Sequence, residues 1–436
     1  MKRLRWSIVA VAGVALALAL GPRVLHAEEY SFDVSETEKK PYSLGGYVEL
    51  RPALFWLDQD AAMYKLRFYD RNEGQTLPEY NATLQLDGSI EKGWATLFVR
   101  LNAAYRDSYL GSELTTKAYE ANLSLSPAPS LALAAGKRTF KWGKGTAWNA
   151  VAFVDRPKNP DDPGLDLEGY VAASADYIRS FSGALQTLSI TPVLVPVSGD
   201  VNDDFGEAGH VNLAGKIYLL LQDTDIDLLF LAGGSRTARY GLDFSRNITS
   251  NVEVHGEWAH IEDVPRRVVG SDGSVRTTVS DATNWLVGLR YLSESETSFL
   301  LEFYRNGTGY TEEQLAGYYT FVNGAYASYL STGDDAALQM AAAVAEGYGR
   351  PNAGRSYGYL RVTQKEPFDI LYWTPALTAI VNAEDGSCSL SPEVAYTGIT
   401  NVEVRLKGTI LAGGRLTEYG EKPYDLRVEL MARYYF

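Results

Sequence analysis

Every second residue from Tyr424 to Phe436 is apolar or aromatic: Tyr424, Leu426, Val428, Leu430, Ala432, Tyr434 and Phe436. Asp425, Arg427, Glu429 and Arg433 stand between them. Successive side chains of a strand point to opposite faces, so this segment has one oily side and one ionised side. The same rhythm, with the same polarity, recurs upstream. Val402, Val404, Leu406 and Ile410 oppose Glu403, Arg405 and Lys407, and Leu97, Val99, Leu101 and Tyr105 oppose Arg100, Asn102 and Arg106. Trp285, Val287, Leu289 and Tyr291 oppose Asn284 and Arg290, while Val252, Val254 and Trp258 oppose Glu253, His255 and Glu257. A soluble sandwich turns such an ionised side to bulk solvent. A membrane barrel must enclose it around a wet lumen, because hydrocarbon tolerates neither charges nor an unpaired sheet edge.

The connections separate these two cases. Eight read as tight turns: Glu91 to Gly93, Pro127 to Ser130, Phe181 to Ala184, Gln222 to Asp225, Arg246 to Asn251, Leu292 to Glu296, Lys365 to Pro367, and Thr397 to Asn401. Nine others alternate with them and are mostly longer: Asp58 to Leu77, Asp107 to Lys117, Gly143 to Leu167, Ser198 to Ala208, Gly233 to Ala238, Glu262 to Ser280, Gly307 to Ala353, Ala383 to Cys388, and Gly413 to Pro423. Short turns on the side of both termini and long loops opposite are the arrangement of an all-β, antiparallel transmembrane barrel. The count gives about eighteen strands, within roughly sixteen to twenty because Met63 to Asp70 also alternates. Pro192, Pro375 and Pro392 fall in three of these strands, where proline cannot donate to the ladder. One loop departs from the β period. Leu315, Tyr318, Tyr319, Val322, Tyr326 and Tyr329 recur at helical spacing within Thr311 to Leu330, and an alanine-rich run follows from Ala336 to Glu346. A helical insertion over about 311–347 is therefore expected on the long-loop side, as a constriction, a lid or a surface excursion.

The N-terminus reads as a secretion leader over residues 1–27. Lys2, Arg3 and Arg5 precede an apolar stretch from Trp6 to Leu20, and Leu25-His26-Ala27 offers a cleavage site. That stretch is shorter than the roughly twenty residues a spanning helix needs. Residues 28–43 then form a periplasmic N-terminal segment and 44–436 the barrel. The chain carries a formal charge of −14, and losing Lys2, Arg3, Arg5 and Arg23 takes it to about −18, which argues against a nucleic-acid partner. A single cysteine, Cys388, excludes an internal disulfide and a haem-attachment pair. Tyrosines number 29 against 15 phenylalanines, which suits rings placed at a membrane interface.

The densest cluster of chemistry runs from Gly136 through Lys137, Arg138, Thr139, Phe140, Lys141, Trp142, Gly143, Lys144 and Gly145 into a loop holding Asn149, Asp155, Arg156, Lys158, Asp161 and Asp162. Cations crowd the strand end, and glycines 143 and 145 permit a sharp bend. A loop turned inward would set Arg138, Lys141, Trp142, Lys144, Arg156 and Lys158 near Asp161 and Asp162, making a constriction with a transverse field that selects charged solutes. The bland alternative is a solvated strand end. Lumen-lining positions are expected at Arg100, Glu253, His255, Glu257, Arg290, Glu403, Arg405, Lys407, Arg427, Glu429 and Arg433, where charges of both signs can also pair across the ladder. His210, His255 and His260 are the histidines outside the leader. None is joined to a serine or a third ligand in a recognisable spacing, so neither catalysis, a metal nor another cofactor is expected.

The Gly136-Lys137 to Trp142-Gly143-Lys144-Gly145 strand end, with its Asn-Pro and Asp-Pro loop, resembles a family of Gram-negative outer-membrane barrels, porin-like but uncharacterised as a group. Alginate-export-type and exporter-associated barrels look similar there. The early Ser31-Phe32-Asp33, Pro41-Tyr42 and Gly45-Gly46-Tyr47 also fit. The terminal Phe436, with Tyr434 two residues before it, resembles the signal by which the barrel-assembly machinery takes up such chains. The resemblance implies contact with outer-membrane lipid, and an association with a periplasmic carrier or an exporter of the resistance-nodulation-division type. The expected function is a porin-like channel for small solutes, or for a lipid or hydrophobic cargo if coupled to an exporter; the alternative is a structural or surface-binding barrel.

Overall fold

The computed structural model describes residues 40–71 and 73–436; the leader and nearly all of the expected 28–43 segment lie outside them. Eighteen strands follow in order: β1 (Tyr42–Leu57), β2 (Thr76–Lys92), β3 (Ala95–Ser108), β4 (Gly111–Ala128), β5 (Leu131–Arg138), β6 (Tyr170–Ser180), β7 (Leu185–Val197), β8 (His210–Leu221), β9 (Thr224–Leu231), β10 (Arg239–Thr249), β11 (Val252–Val269), β12 (Val275–Leu292), β13 (Thr297–Arg305), β14 (Ser356–Gln364), β15 (Trp373–Asn382), β16 (Cys388–Ile399), β17 (Val402–Ala412) and β18 (Tyr424–Tyr435). Each pairs antiparallel with its sequence neighbours, and β1 pairs with β18, so the sheet closes and no edge is left open. The seam is fastened to the last residue: Gly46 and Phe436 exchange two backbone hydrogen bonds of 3.1 Å.

The two faces of the wall follow the alternation. Trp285, Val287, Leu289 and Tyr291 on β12 lie exposed on the outer face, as do Leu406 and Ile410 on β17 and Leu430 on β18. This apolar outer band is the surface that meets lipid, and among the described residues no helix is long and apolar enough to cross a membrane. Proline did not prevent β7, β15 and β16 from forming; Pro192, Pro375 and Pro392 all sit in paired positions within them.

Four departures from the sequence pattern are informative. The span Asp107 to Lys117 is mostly strand: β3 runs to Ser108 and β4 starts at Gly111, with Arg106 facing Glu113 and Asp107 facing Ser112. Glu262 to Ser280 likewise forms the far ends of β11 and β12, across an irregularity between Ile261 and Val264. Above the membrane both strand faces meet water, so the apolar contrast that marks a strand disappears. Met63 to Asp70 is not a strand; most of it lies in helix α1 (Ala62–Phe68), whose Met63 and Leu66 are covered by other helices. Lys365 to Pro367 is only the start of a longer connection, residues 365–372.

The helical insertion comprises α2 (Glu312–Thr332), α3 (Ala336–Ala342) and α4 (Ala345–Gly349). Thr311 and Gln314 form a reciprocal capping box at the start of α2, and Gly333, at φ 77°, ends it with its N–H donating to Tyr329. Together with α1 these helices bury Leu315, Tyr318, Tyr319, Val322, Leu338 and Tyr348 in one apolar cluster. The second large core lies inside the barrel. Trp142, Val151, Phe153 and Val154, from the β5–β6 connection, pack on Val193 and Val195 of β7, Leu229 and Leu231 of β9, and Ala259 of β11.

Candidate pore constriction

The β5–β6 connection, residues 139–169, enters the lumen and is fastened to the wall nearly all the way round. Lys144 reaches the buried Asp227 of β9 at 3.0 Å and Asp243 of β10 at 3.8 Å. Glu257 of β11 accepts the backbone N–H of Gly145 at 2.5 Å and of Val151 at 3.2 Å. Glu302 of β13 accepts those of Thr146 at 2.5 Å and Ala147 at 3.0 Å. Trp148 then stacks on Tyr304, 5.1 Å away, and packs beside Tyr357 and Tyr359 of β14. At the loop's far side Lys407 of β17 donates to the Asp161 carbonyl, and Asp162 pairs with Arg51 of β1 at 3.1 Å and Arg405 of β17 at 3.8 Å. On the return, Asp166 meets Arg100 of β3 and Gln85 of β2, both at 3.0 Å, and Glu168 holds Lys117 and Lys137.

Backbone geometry explains why this loop can lie so close to the wall. Gly143 has φ 99°, and a Cβ there would sit 2.7 Å from the Glu257 carboxylate. A Cβ on Gly145 would meet the Trp148 carbonyl at 2.4 Å. Both glycines are therefore required by the close approach, and Gly143 by its backbone angle as well. Within the loop, Asp155 accepts the N–H groups of Phe140 at 2.6 Å and Trp142 at 3.0 Å, which ties its two limbs together. A buried carboxylate receiving two N–H donors is a strong, directional staple.

Between the limbs remains a cavity of about 330 Å³, lined by Arg100, Lys141, Trp142, Asp155, Lys158 and Asp166 among others. Arg100 is partnered by Asp87, Glu120 and Asp166, and Lys158 donates to the Gly145 carbonyl. Lys141, at φ 56°, is exposed and has no ion pair among the described residues. Other candidates sit elsewhere. Lys144 turns into the wall, Arg138 lies against Phe140 and Ser174, and Arg156 pairs with Asp204 over the Tyr170 ring. Trp142 is 3% exposed and is mainly a packing residue. Asp161 lines a separate, smaller cavity with Arg67, Tyr419 and Lys422.

The residues expected along the lumen are mostly engaged with the loop or with one another. Arg433 donates to Glu49 at 2.8 Å, Arg405 to Glu403 at 2.8 Å, Arg427 to Thr409, and Glu429 faces Arg51 at 3.6 Å. Arg290 bridges Glu253 and Thr146. His255 is 1% exposed, with its Nε2 3.1 Å from Glu302 and its Nδ1 3.6 Å from Glu253, so a solute in the lumen does not reach it. His260 lies 3.7 Å from Asp281. The sequence reading named Asp155 without a role and missed Asp227, Asp243 and Glu302; all four anchor the loop. Their only local signal is a carboxylate at an inward strand position or beside the Arg156 motif.

No protein-family model and no curated protein matches the chain. Among solved structures, Pseudomonas aeruginosa OccK5 (OpdH) aligns at 12% identity and TM-score 0.50, over 90% of this chain and 98% of that one. Pseudomonas aeruginosa OccK11 (OpdR) aligns at 13% identity and TM-score 0.50, over 90% and 96%. The likeness is one of fold, a closed antiparallel barrel.

Proposed function

We propose that the chain is a porin-like channel of the Gram-negative outer membrane, passing small hydrophilic solutes through a lumen narrowed by residues 139–169. The observation that carries this reading is the inward loop with its 330 Å³ cavity, where the unpaired ammonium of Lys141 stands beside Arg100 and Lys158. Eighteen strands enclose an aqueous channel unless something fills it. Here the filling is a pinned loop with polar groups around its opening. The short-turn rim carrying Phe436 faces the periplasm, and the terminal strand is what the assembly machinery would take up. Coupling to an exporter or to a hydrophobic cargo finds no favouring feature in a passage that gathers three cations.

Single-channel recording of refolded protein in planar bilayers tests the reading. A stable ohmic conductance, with a reversal potential that moves when Lys141 changes sign, is expected. A persistently silent bilayer overturns it in favour of a structural barrel.

A further inference from the structure

Seven of the eight connections on the terminus side join their strands through two to four residues, whereas β14 and β15 are joined through eight, Lys365-Glu366-Pro367-Phe368-Asp369-Ile370-Leu371-Tyr372. This connection displays its apolar side chains. Phe368 is 94% exposed, the highest exposure of any large apolar residue described, and Ile370, Leu371 and Tyr372 are 53%, 58% and 50% exposed. Its backbone is held in that shape. Glu366, Phe368, Asp369 and Tyr372 all have positive φ, uncommon for non-glycine residues and exceptional for bulky ones. Hydrogen bonds from Glu366 N–H to Trp373, from Ile370 N–H to Pro367 and from Tyr372 N–H to the Glu366 carboxylate fix it. A loop free to collapse would cover such side chains; this one is built to present them.

We propose that Phe368, Ile370 and Leu371 form a foot that inserts into the headgroup and upper acyl region of the inner phospholipid leaflet. The proposal rests on the outer-membrane orientation given above, but not on conduction. Three observations select lipid as the occupant. First, the knob continues the lipid-facing band: it leads directly into Trp373, which lies 5.0 Å from the ring of Tyr396 and above the exposed Leu377. Second, it remains at the level of the neighbouring turn, because Thr397 of β16, just before that turn, donates to the Tyr372 carbonyl at 3.1 Å. Third, Lys365 is exposed beside it with no ion pair among the described residues, placing an ammonium where lipid phosphates lie. Aromatic and aliphatic side chains flanked by a cation are the usual composition of an interfacial anchor. Asp369, between Phe368 and Ile370, is exposed as well.

The experiment uses the full chain carrying C388S, refolded into vesicles of phosphatidylethanolamine and phosphatidylglycerol. An environment-sensitive nitrobenzoxadiazole label is placed on F368C and, separately, a nitroxide on I370C. The expected result is a blue-shifted label quenched at least twofold more by lipid with a doxyl group near the headgroup than by lipid labelled deep in the chain. The nitroxide is expected to favour oxygen over a water-soluble nickel reagent as its relaxing partner. Water-like emission without quenching overturns the proposal. So does a blue shift that doxyl lipid does not quench, since the foot then rests on protein, either a second copy or a periplasmic partner. If F368C fails to refold, the I370C measurement decides alone. Silence in the bilayer recording would remove the channel reading and leave this one standing; a wet label would do the reverse.

Discussion

Residues 139–169 and the helical insertion 312–349 are both long excursions from the barrel, yet they are held by opposite means. The inward loop has no regular secondary structure, and buried carboxylates aimed at its backbone N–H groups fasten much of it: Glu257 at Gly145 and Val151, Glu302 at Thr146 and Ala147, Asp155 at Phe140 and Trp142. The helices satisfy their own backbone and are joined mainly by side-chain packing. Tyr348 stacks between Tyr310 at 4.1 Å and Tyr318 at 3.9 Å, over Leu315 and Leu338. A segment lodged in a lumen cannot reach a partner strand for its N–H groups, so the wall supplies acceptors; a segment above the membrane has room to coil and bury a face.

The comparison breaks most visibly if the carboxylate staples are removed. E257A with E302A leaves four loop N–H groups without their acceptors, at about 1 to 3 kcal/mol each for buried donors. The loop is expected to leave the wall, raising single-channel conductance at least twofold with added noise; an unchanged conductance would show that the loop is not the restriction. In the insertion, Leu315→Ala or Tyr318→Ala opens a cavity in the helical core at about 2 to 5 kcal/mol. Proteolysis in vesicles should then cut within residues 312–349 while the barrel keeps its heat resistance on gels.

The next effect is smaller and tests the cavity. Lys141→Glu is expected to move the reversal potential toward cation preference under a salt gradient, whereas Arg138→Glu should leave it nearly unchanged. Lys144→Glu should loosen the loop instead, since it sets a third carboxylate against Asp227 and Asp243. Equal shifts from Arg138 and Lys141 would contradict the placement of these side chains.

The smallest effect is a pH response of the insertion. Hydrogen bonds from Gln339 and from Tyr69 of the α1 region hold the exposed Asp335 carboxyl below the usual aspartate range. A depressed carboxyl stabilises the docked helices fully above its unfolded value of about 3.9 and loses that contribution as pH falls through the lower folded value. Proteolytic protection of 312–349 should therefore be unchanged at mildly acidic pH and decline only below that range. Tyr69→Phe should reduce the decline, and a transition near neutrality would sink the assignment.

These differences also mark what could be read beforehand. The strands were legible wherever one face meets lipid and the other meets water or charge, as in β12, β17 and β18. They became illegible beyond the bilayer, in the far ends of β3, β4, β11 and β12, where both faces are wet. The insertion was legible because helix packing leaves a periodic trace in Leu315, Tyr318, Tyr319 and Val322. Helix α1 was not, since seven residues are too short to separate a helical stripe from alternation. The loop 139–169 was recognisable by its glycines and cations, but the role of each cation was not. Arg138, Lys141 and Lys144 look equivalent in sequence, and only Lys141 faces the cavity unpaired.

By itself the sequence determined the closed barrel, a count of sixteen to twenty strands centred on eighteen, and the distinction between lipid-facing and inward residues. Those properties follow from a two-residue period imposed by pleating and by the membrane. Tertiary structure decided how the lumen is filled and which charges stay free. That outcome depends on single contacts between residues far apart in the chain, such as Glu302 with Thr146 and Asp162 with Arg51, and pairwise contacts of that kind leave no periodic mark.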